Sequence, residues 1–427
     1  MRKSGSRAMK SKWKWSAVIL ICVLRGAGTM AALPENEAQI ILDEVWNTAA
    51  QRHYDADFDR KYRESVYEKH RPEIVKSQSR SALIAALNRM LRSIGESHLA
   101  MLGESPAAKE SVKAQIGNTQ GQDKPADGGF TILSVPEGIA VHRISDAVAG
   151  KLQPGDRILA VDGVALDGEP DAFPPWSILA RGLLERGAAG SAVSVTVERN
   201  GAPLTVELIR RENGGSFLKL GHLPRQCIRY ESEVTADGIG IVRFSIFAPQ
   251  IVKRFRQDLK GKFKDCRALI VDLRGNPGGI LMTAEWLIGW MVPDRKIPLG
   301  TMTVQNVRLT PVAAPQKGAF NGALAVLVDR DSCSTSEMFA AALQDAGAAK
   351  IFGEKTPGWC LPSQVVELSA GYRMQVVMGD AVRPDGKRLE GVGVTPDQIA
   401  VNTVEILKQG RDLPLDAALE YMRKNRE

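Results

Sequence analysis

The sequence predicts a mixed α/β protein with a β-rich segment set inside it. Three observations carry that expectation. Apolar runs such as Ala268-Leu269-Ile270-Val271-Asp272-Leu273 and the stretch 324–329 have the composition of strands buried on both faces. Each leads through a turn into a stretch with helical spacing, and strands alternating with helices build a layered α/β core. Over 128–212 the pattern changes to short apolar runs separated by turns, which reads as a small β-domain.

Composition bounds the rest. At about 100–200 residues per domain, 427 residues suggest two to four domains. Hydrophobic residues make up 44% and charged residues 25%, which are globular values and exclude a wholly disordered or fibrous chain. The net charge of +7 is matched by Arg2, Lys3, Arg7, Lys10, Lys12, Lys14 and Arg25, all within the first 34 residues, where there is no acid. The remainder is close to neutral, so it has no basic excess to attract nucleic acid.

That N-terminal stretch is the first element. A basic region to Lys14 precedes ten residues, Trp15 to Leu24, that are almost all apolar, and small residues follow to Ala31-Ala32. This is the pattern of a cleavable export signal over 1–32, with a periplasmic or secreted product. Ten residues fall well short of the roughly 20 that span a bilayer, and no other segment could cross one. The alternative is an uncleaved anchor.

Residues 33–105 form the next element and read as helical. Ile40, Ile41, Val45 and Trp46 recur at helical spacing, as do Leu83, Leu87, Met90 and Leu91. The segment ends in a compact turn, Gly95-Glu96-Ser97-His98, that leads into an apolar strand. Residues 106–127, rich in Gly, Lys, Gln and Pro, read as a linker.

Within 128–212 lies Leu152-Gln153-Pro154-Gly155-Asp156-Arg157-Ile158-Leu159-Ala160-Val161-Asp162-Gly163. It resembles the PDZ domain, with 176–184 as the helix flanking the peptide groove. That resemblance implies docking of a peptide strand at a sheet edge.

Residues 213–427 form the α/β core. A strand over 238–246 precedes a helix over 250–263, and the strand over 268–273 runs into Asn276-Pro277-Gly278-Gly279 and a helix over 282–291. The strand over 324–329 ends in Asp331-Ser332-Cys333-Ser334-Thr335-Ser336-Glu337, where a helix begins. Such a junction lifts a hydroxyl above the sheet and points helix N–H groups at whatever it attacks. The plainer reading is a capping box, Ser334-x-x-Glu337, with no chemistry. The glycine turn at 276–279 supplies a second set of backbone donors, which an oxyanion hole requires.

Together these segments resemble the carboxyl-terminal processing (tail-specific) serine peptidases and their tricorn-core relatives. Further markers are Asp272-Leu273-Arg274, Leu343-Gln344-Asp345, Gly353-Glu354-Lys355-Thr356 and Gly391-Val392-Gly393-Val394-Thr395-Pro396-Asp397. The resemblance implies a ClpP/crotonase-like core acting on polypeptide substrates without metal or cofactor. It makes Ser334 the nucleophile, with Gly278 or Gly279 and Thr335 as oxyanion donors.

One departure bears on mechanism. The Ser–Lys members carry a lysine where this loop reads Thr356-Pro357-Gly358-Trp359-Cys360, so Trp359 takes that place. Indole cannot accept a proton, and Lys355 would point elsewhere in an extended loop. Histidine is the common alternative base. Of His53, His70, His98, His142 and His222, only His98 lies in a compact turn. It resembles the histidine of the tricorn-core branch, which makes Ser97 a helper hydroxyl and Glu390 the orienting carboxylate, with Glu96 and Asp385 as rivals. Cys333 and Cys360 are the candidate disulfide pair. The competing readings are a Ser–Lys dyad using a displaced lysine such as Lys355, an inactive peptide-binding scaffold, and an apolar-ligand carrier.

Overall fold

The computed structural model describes residues 33–34, 36–104, 124–166, 176–219, 225–304 and 307–425. The export signal over 1–32, most of the linker and His222 lie outside the described residues.

The mixed α/β expectation holds. The core is a six-stranded sheet in the order Tyr230–Val234, Ile239–Phe244, Ala268–Asp272, Ala323–Val328, Lys350–Gly353 and Gln398–Ile399. The first pair is antiparallel and all later pairs are parallel. Side chains alternate across each strand, so each strand feeds two cores. Leu269, Val271, Val326 and Val328 pack with Phe255, Leu287, Ile288 and Phe339 of three helices. Ala268, Ile270, Ala325 and Leu327 face the other way, against Ala418 and Met422 of the helix Leu413–Lys424. This explains why the central strands read as unbroken apolar runs.

Parallel register then sets where loops emerge. Asp272 pairs with Leu327, and Val328 with Gly353, so the loops that follow these strands leave from one sheet edge. That edge, outside the carboxyl ends of parallel strands, is the favoured place for a site in open α/β sheets.

The segment read as helical shares a core with distant residues. Trp46, Leu83, Leu87 and Met90 pack with Leu361, Tyr372, Met374 and Val376. Its last residues, Ala100–Glu104, form a strand paired antiparallel with Tyr372–Val377, Ala100 opposite Gln375. The last helix ends at Arg92, next to the last periodic residue Leu91, and the strand expected after the turn is present. The strand depends on a partner more than 250 positions away, which local patterning cannot reveal.

The β-rich segment is an antiparallel sheet ordered Phe130–Val135, Gly138–Ile144, Arg157–Val161, Ala192–Arg199 and Ala202–Ile209. Ala180, Leu183 and Leu184 of the helix Trp176–Leu184 close its core. Its ends meet where Ala126 pairs with Glu212, so it is a self-contained insertion. It packs on the α/β core through Val135 and Ala140 against Leu407 of the short helix Val404–Lys408. Ser134 Oγ donates to Asp331 at 2.6 Å, His142 Nε2 lies 3.0 Å from Asp412, and Arg181 donates to the Gly275 carbonyl.

Met374→Ala should lower the unfolding free energy by about 2–5 kcal/mol, because it opens a cavity in the shared core. Urea denaturation measures this directly. A change below about 0.5 kcal/mol would mean the helical segment is not anchored there.

Candidate active site

The turn carrying Ser334 is stitched to the glycine turn beside it. Asp329 accepts from the Gly275 and Asp331 N–H groups at 2.9 and 3.0 Å. Cys333 N–H and Ser336 Oγ both donate to the Asn276 carbonyl, and Thr335 Oγ1 donates to that of Gly279 at 2.8 Å. Ser334 is the N-cap of Thr335–Asp345, with φ 57° and ψ −119°. That conformation is sparsely populated for a residue with a Cβ, and such strain persists only where surroundings over-determine it. Gly278 is part of those surroundings: a Cβ there would lie 2.8 Å from that of Ser334.

Glu337 is fully buried beneath this turn, and its carboxylate accepts four hydrogen bonds. The donors are Ser334 N–H at 3.0 Å, Thr356 Oγ1 at 2.6 Å, Gly358 N–H at 2.8 Å and Trp359 N–H at 2.9 Å. Burial pushes its pKa up to about 7, against the pull of those bonds. The capping-box pattern anticipated only the Ser334 bond. The other three donors come from the loop in which Trp359 replaces lysine. Ser334 N–H also donates to the Trp359 carbonyl at 2.8 Å.

The same loop reaches the histidine turn. Cys360 N–H donates to Glu390 Oε2 at 2.8 Å. Glu390 Oε1 accepts from Ser97 N–H at 2.9 Å, and Oε2 lies 3.0 Å from Ser97 Oγ, which sits 2.7 Å from His98 Nδ1. An ionised carboxylate only accepts, so Ser97 Oγ–H points at Glu390 and its lone pair takes Nδ1–H of His98. The imidazole then carries its acceptor lone pair on Nε2. Burial lowers the His98 pKa to about 4 and raises that of Glu390, the latter opposed by the bonds from Cys360 and Ser97. His98 is therefore a neutral imidazole near pH 7.

The rival groups are engaged elsewhere. Glu96 lies 2.6 Å from His53 Nε2, and Asp385 accepts from Lys387 N–H in an exposed turn. His142 faces Asp412, and His70 lies in the helix Lys69–Ile74. Lys355 is exposed. Of the two glycine candidates, Gly278 N–H is taken by Asn276 Oδ1 at 2.9 Å. The N–H groups of Gly279 and Thr335 flank the Ser334 turn, with no acceptor among the described residues. Cys333 and Cys360, the candidate pair, are not joined. Both are buried free thiols, Cys360 Sγ lying 3.6 Å from the Ser334 carbonyl and Cys333 Sγ 3.2 Å from that of Asp331. Among the described residues no group of three or more His, Cys, Asp or Glu is placed to hold a metal.

Residues 238–400 match the sequence model of peptidase family S41. Over that stretch the chain is similar to peptidase family S41. With the processing proteases it resembles, this makes it a serine-type peptidase. A carboxyl-terminal-processing protease of Synechocystis is 25% identical over 406 residues, covering 92% of this chain and 89% of that protein. The carboxy-terminal processing protease CtpB of Bacillus subtilis is 23% identical over 81% of this chain and 68% of its own length. Among solved structures, the photosystem II D1 C-terminal processing protease superposes with a TM-score of 0.54 at 20% identity, covering 87% of this chain and 97% of that one. The tricorn protease gives 0.55 at 16% identity over 92% of this chain and 37% of its own. These structures share the fold of this chain. The 238–400 match takes in Ser334, Glu337, Trp359 and Glu390, while His98 lies outside it.

Glu337→Ala should cost at least about 2 kcal/mol of stability, since it strips the acceptor from buried donors at Thr356 and Gly358. Chemical denaturation reads the loss, and a neutral effect would remove Glu337 from its organising position. His98 also sets a pH dependence. Its folded pKa of about 4 lies below the ordinary 6.5, so the unfolded chain takes up the proton first as pH falls. The stabilisation from keeping the imidazole neutral is full above pH 6.5 and drains away as pH falls toward 4. Urea midpoints should decline across that window, and less steeply in His98→Gln. Parallel curves would contradict it.

Proposed function

We propose that this chain is an exported endopeptidase that cleaves polypeptides through an acyl-enzyme, with Ser334 as nucleophile and His98 as general base. The observation that carries this reading is the continuous chain from His98 through Ser97 and Glu390 to Cys360, whose neighbour Trp359 accepts from the strained Ser334. A buried neutral imidazole whose acceptor nitrogen is Nε2 is what a serine hydroxyl needs as a partner.

The chemistry then runs as follows. Ser334 Oγ attacks the scissile carbonyl carbon while its proton passes to His98 Nε2. The resulting oxyanion is met by the Gly279 and Thr335 N–H groups. The C–N bond breaks, the leaving amine takes the proton from Nε2, and an ester to Ser334 remains. Water repeats the cycle through the same imidazole and frees the acid. Ser97 and Glu390 hold the tautomer and offset the positive charge that builds on the ring.

Two arguments separate this from the Ser–Lys and inactive-scaffold readings. Trp359 offers no proton acceptor at the lysine position, and the exposed Lys355 is solvated rather than poised. An inactive scaffold would have no use for a strained Ser334 and a buried serine–glutamate relay. The β-rich insertion fits a PDZ-like role, since its edge strand Phe130–Val135 pairs on one side only and can accept a peptide strand. The basic and apolar segment before Ala32 supports export. No described helix is long and apolar enough to cross a membrane.

The test is hydrolysis of an unstructured polypeptide, read beside labelling by a fluorophosphonate. Ser334→Ala should lose both. His98→Ala should lose at least about 10³-fold in kcat/KM, and Lys355→Ala should stay within about twofold, as expected for a solvated side chain with no role. Full activity in His98→Ala, or its loss in Lys355→Ala, would overturn the assignment of the base.

A further inference from the structure

A cavity of about 30 Å³ lies between the edge of the β-rich insertion and the peptidase core. Four arginines line it: Arg181 from the insertion helix, and Arg229, Arg243 and Arg274 from the core. Only one carboxylate, that of Glu231, joins them in the lining, and Glu231 is exposed.

The four cations are not equally satisfied. Arg229 lies 3.0 Å from Asp127 and 3.6 Å from Glu185. Arg274 donates to Asp272 and Asp412 at 2.6–2.9 Å. These four acids lie outside the lining. Among the described residues Arg243 makes one ion pair, to Asp272 at 3.8 Å through Nε, with Glu231 also near it, and its Nη1 is buried without a partner. Arg181 has Asp331, Asp329 and Glu185 near it but spends Nη1 on the Gly275 carbonyl, and its Nη2 is likewise buried and unpartnered. A guanidinium cannot escape burial by losing its proton, as a lysine can. Its planar fork of donors matches the oxygens of a carboxylate or phosphate. Two such forks with idle nitrogens at one cavity leave an acceptor missing.

We propose that this cavity binds one small oxyanion, of carboxylate or phosphate size, held by Arg181 and Arg243. The space admits about two waters' worth of ligand, which fits one anionic group and excludes a larger body. Two sources carry that chemistry. One is free phosphate. The other is the terminal carboxylate of a peptide on the neighbouring edge strand, which supplies Thr131 and Ile132 to the same lining. The site stands whether or not Ser334 is the nucleophile, because its readout is binding.

The experiment is calorimetric titration of the full chain carrying Ser334→Ala, which prevents cleavage. Phosphate is compared with chloride at equal ionic strength, and a peptide acid with its amide. Phosphate should bind and raise Tm beyond the chloride control. Arg181→Gln and Arg243→Gln should each weaken it at least tenfold, while Glu231→Gln should tighten it severalfold by removing the opposing charge. That opposite sign keeps the test decisive even if an arginine variant folds poorly. Competition with phosphate by the peptide acid but not the amide assigns the site to a chain terminus, and no competition assigns it to the free ion. Binding no better than chloride, or equal affinity in all variants, overturns the proposal.

Discussion

Four donors converge on the buried Glu337 carboxylate, and the placing of Ser334, Trp359 and Cys360 follows from that convergence. A buried carboxylate with this many partners is a demanding feature. It is tolerated only if every donor stays in place, so it rigidifies the backbone that supplies them. The helix Thr335–Asp345 provides the carboxylate from its first turn, and the loop after Lys350–Gly353 provides three of the four donors. Parallel strand register brings these two loops to one edge. The strain at Ser334 is held by the fold of that edge as a whole.

From there the geometry reaches the other end of the chain. Cys360 hands its N–H to Glu390, and Glu390 takes two bonds from Ser97. The histidine turn is fixed from its own side as well, because Ala100 and Met101 pair with Gln375 and Met374 directly after it. Residues separated by almost three hundred positions thus meet in a single hydrogen-bonded chain. Its cost is the burial of two carboxylates and an imidazole, and the imidazole makes the region sensitive to acid.

Much of this could be read in advance, and the residues indicate why. The strands were legible because strands buried on both faces are apolar throughout. Ser334 was legible because hydroxyls and glycines mark tight turns at strand ends. His98 stood out by its compact turn, and Glu390 through family resemblance. What escaped depended on distance. The strand Ala100–Glu104 takes its identity from Tyr372–Val377, and nothing in its own five residues announces that partner. Glu337 read as a local cap because three of its donors lie 19 to 22 positions on. Gly278 and Gly279 were indistinguishable until Asn276 was seen to occupy one of their N–H groups. Cys333 and Cys360 flank the same serine, yet each thiol turns to a separate carbonyl.

The central claim is that the His98 imidazole, oriented through Ser97, serves the Ser334 hydroxyl. A crystal structure of the chain inhibited by a peptidyl boronate tests it most directly. The account predicts a bond from boron to Ser334 Oγ, one boronate oxygen on the Gly279 and Thr335 N–H groups, and His98 Nε2 within about 2.6–3.2 Å of the adduct. An adduct on another residue, or an imidazole turned away with a lysine amine in its place, would contradict it.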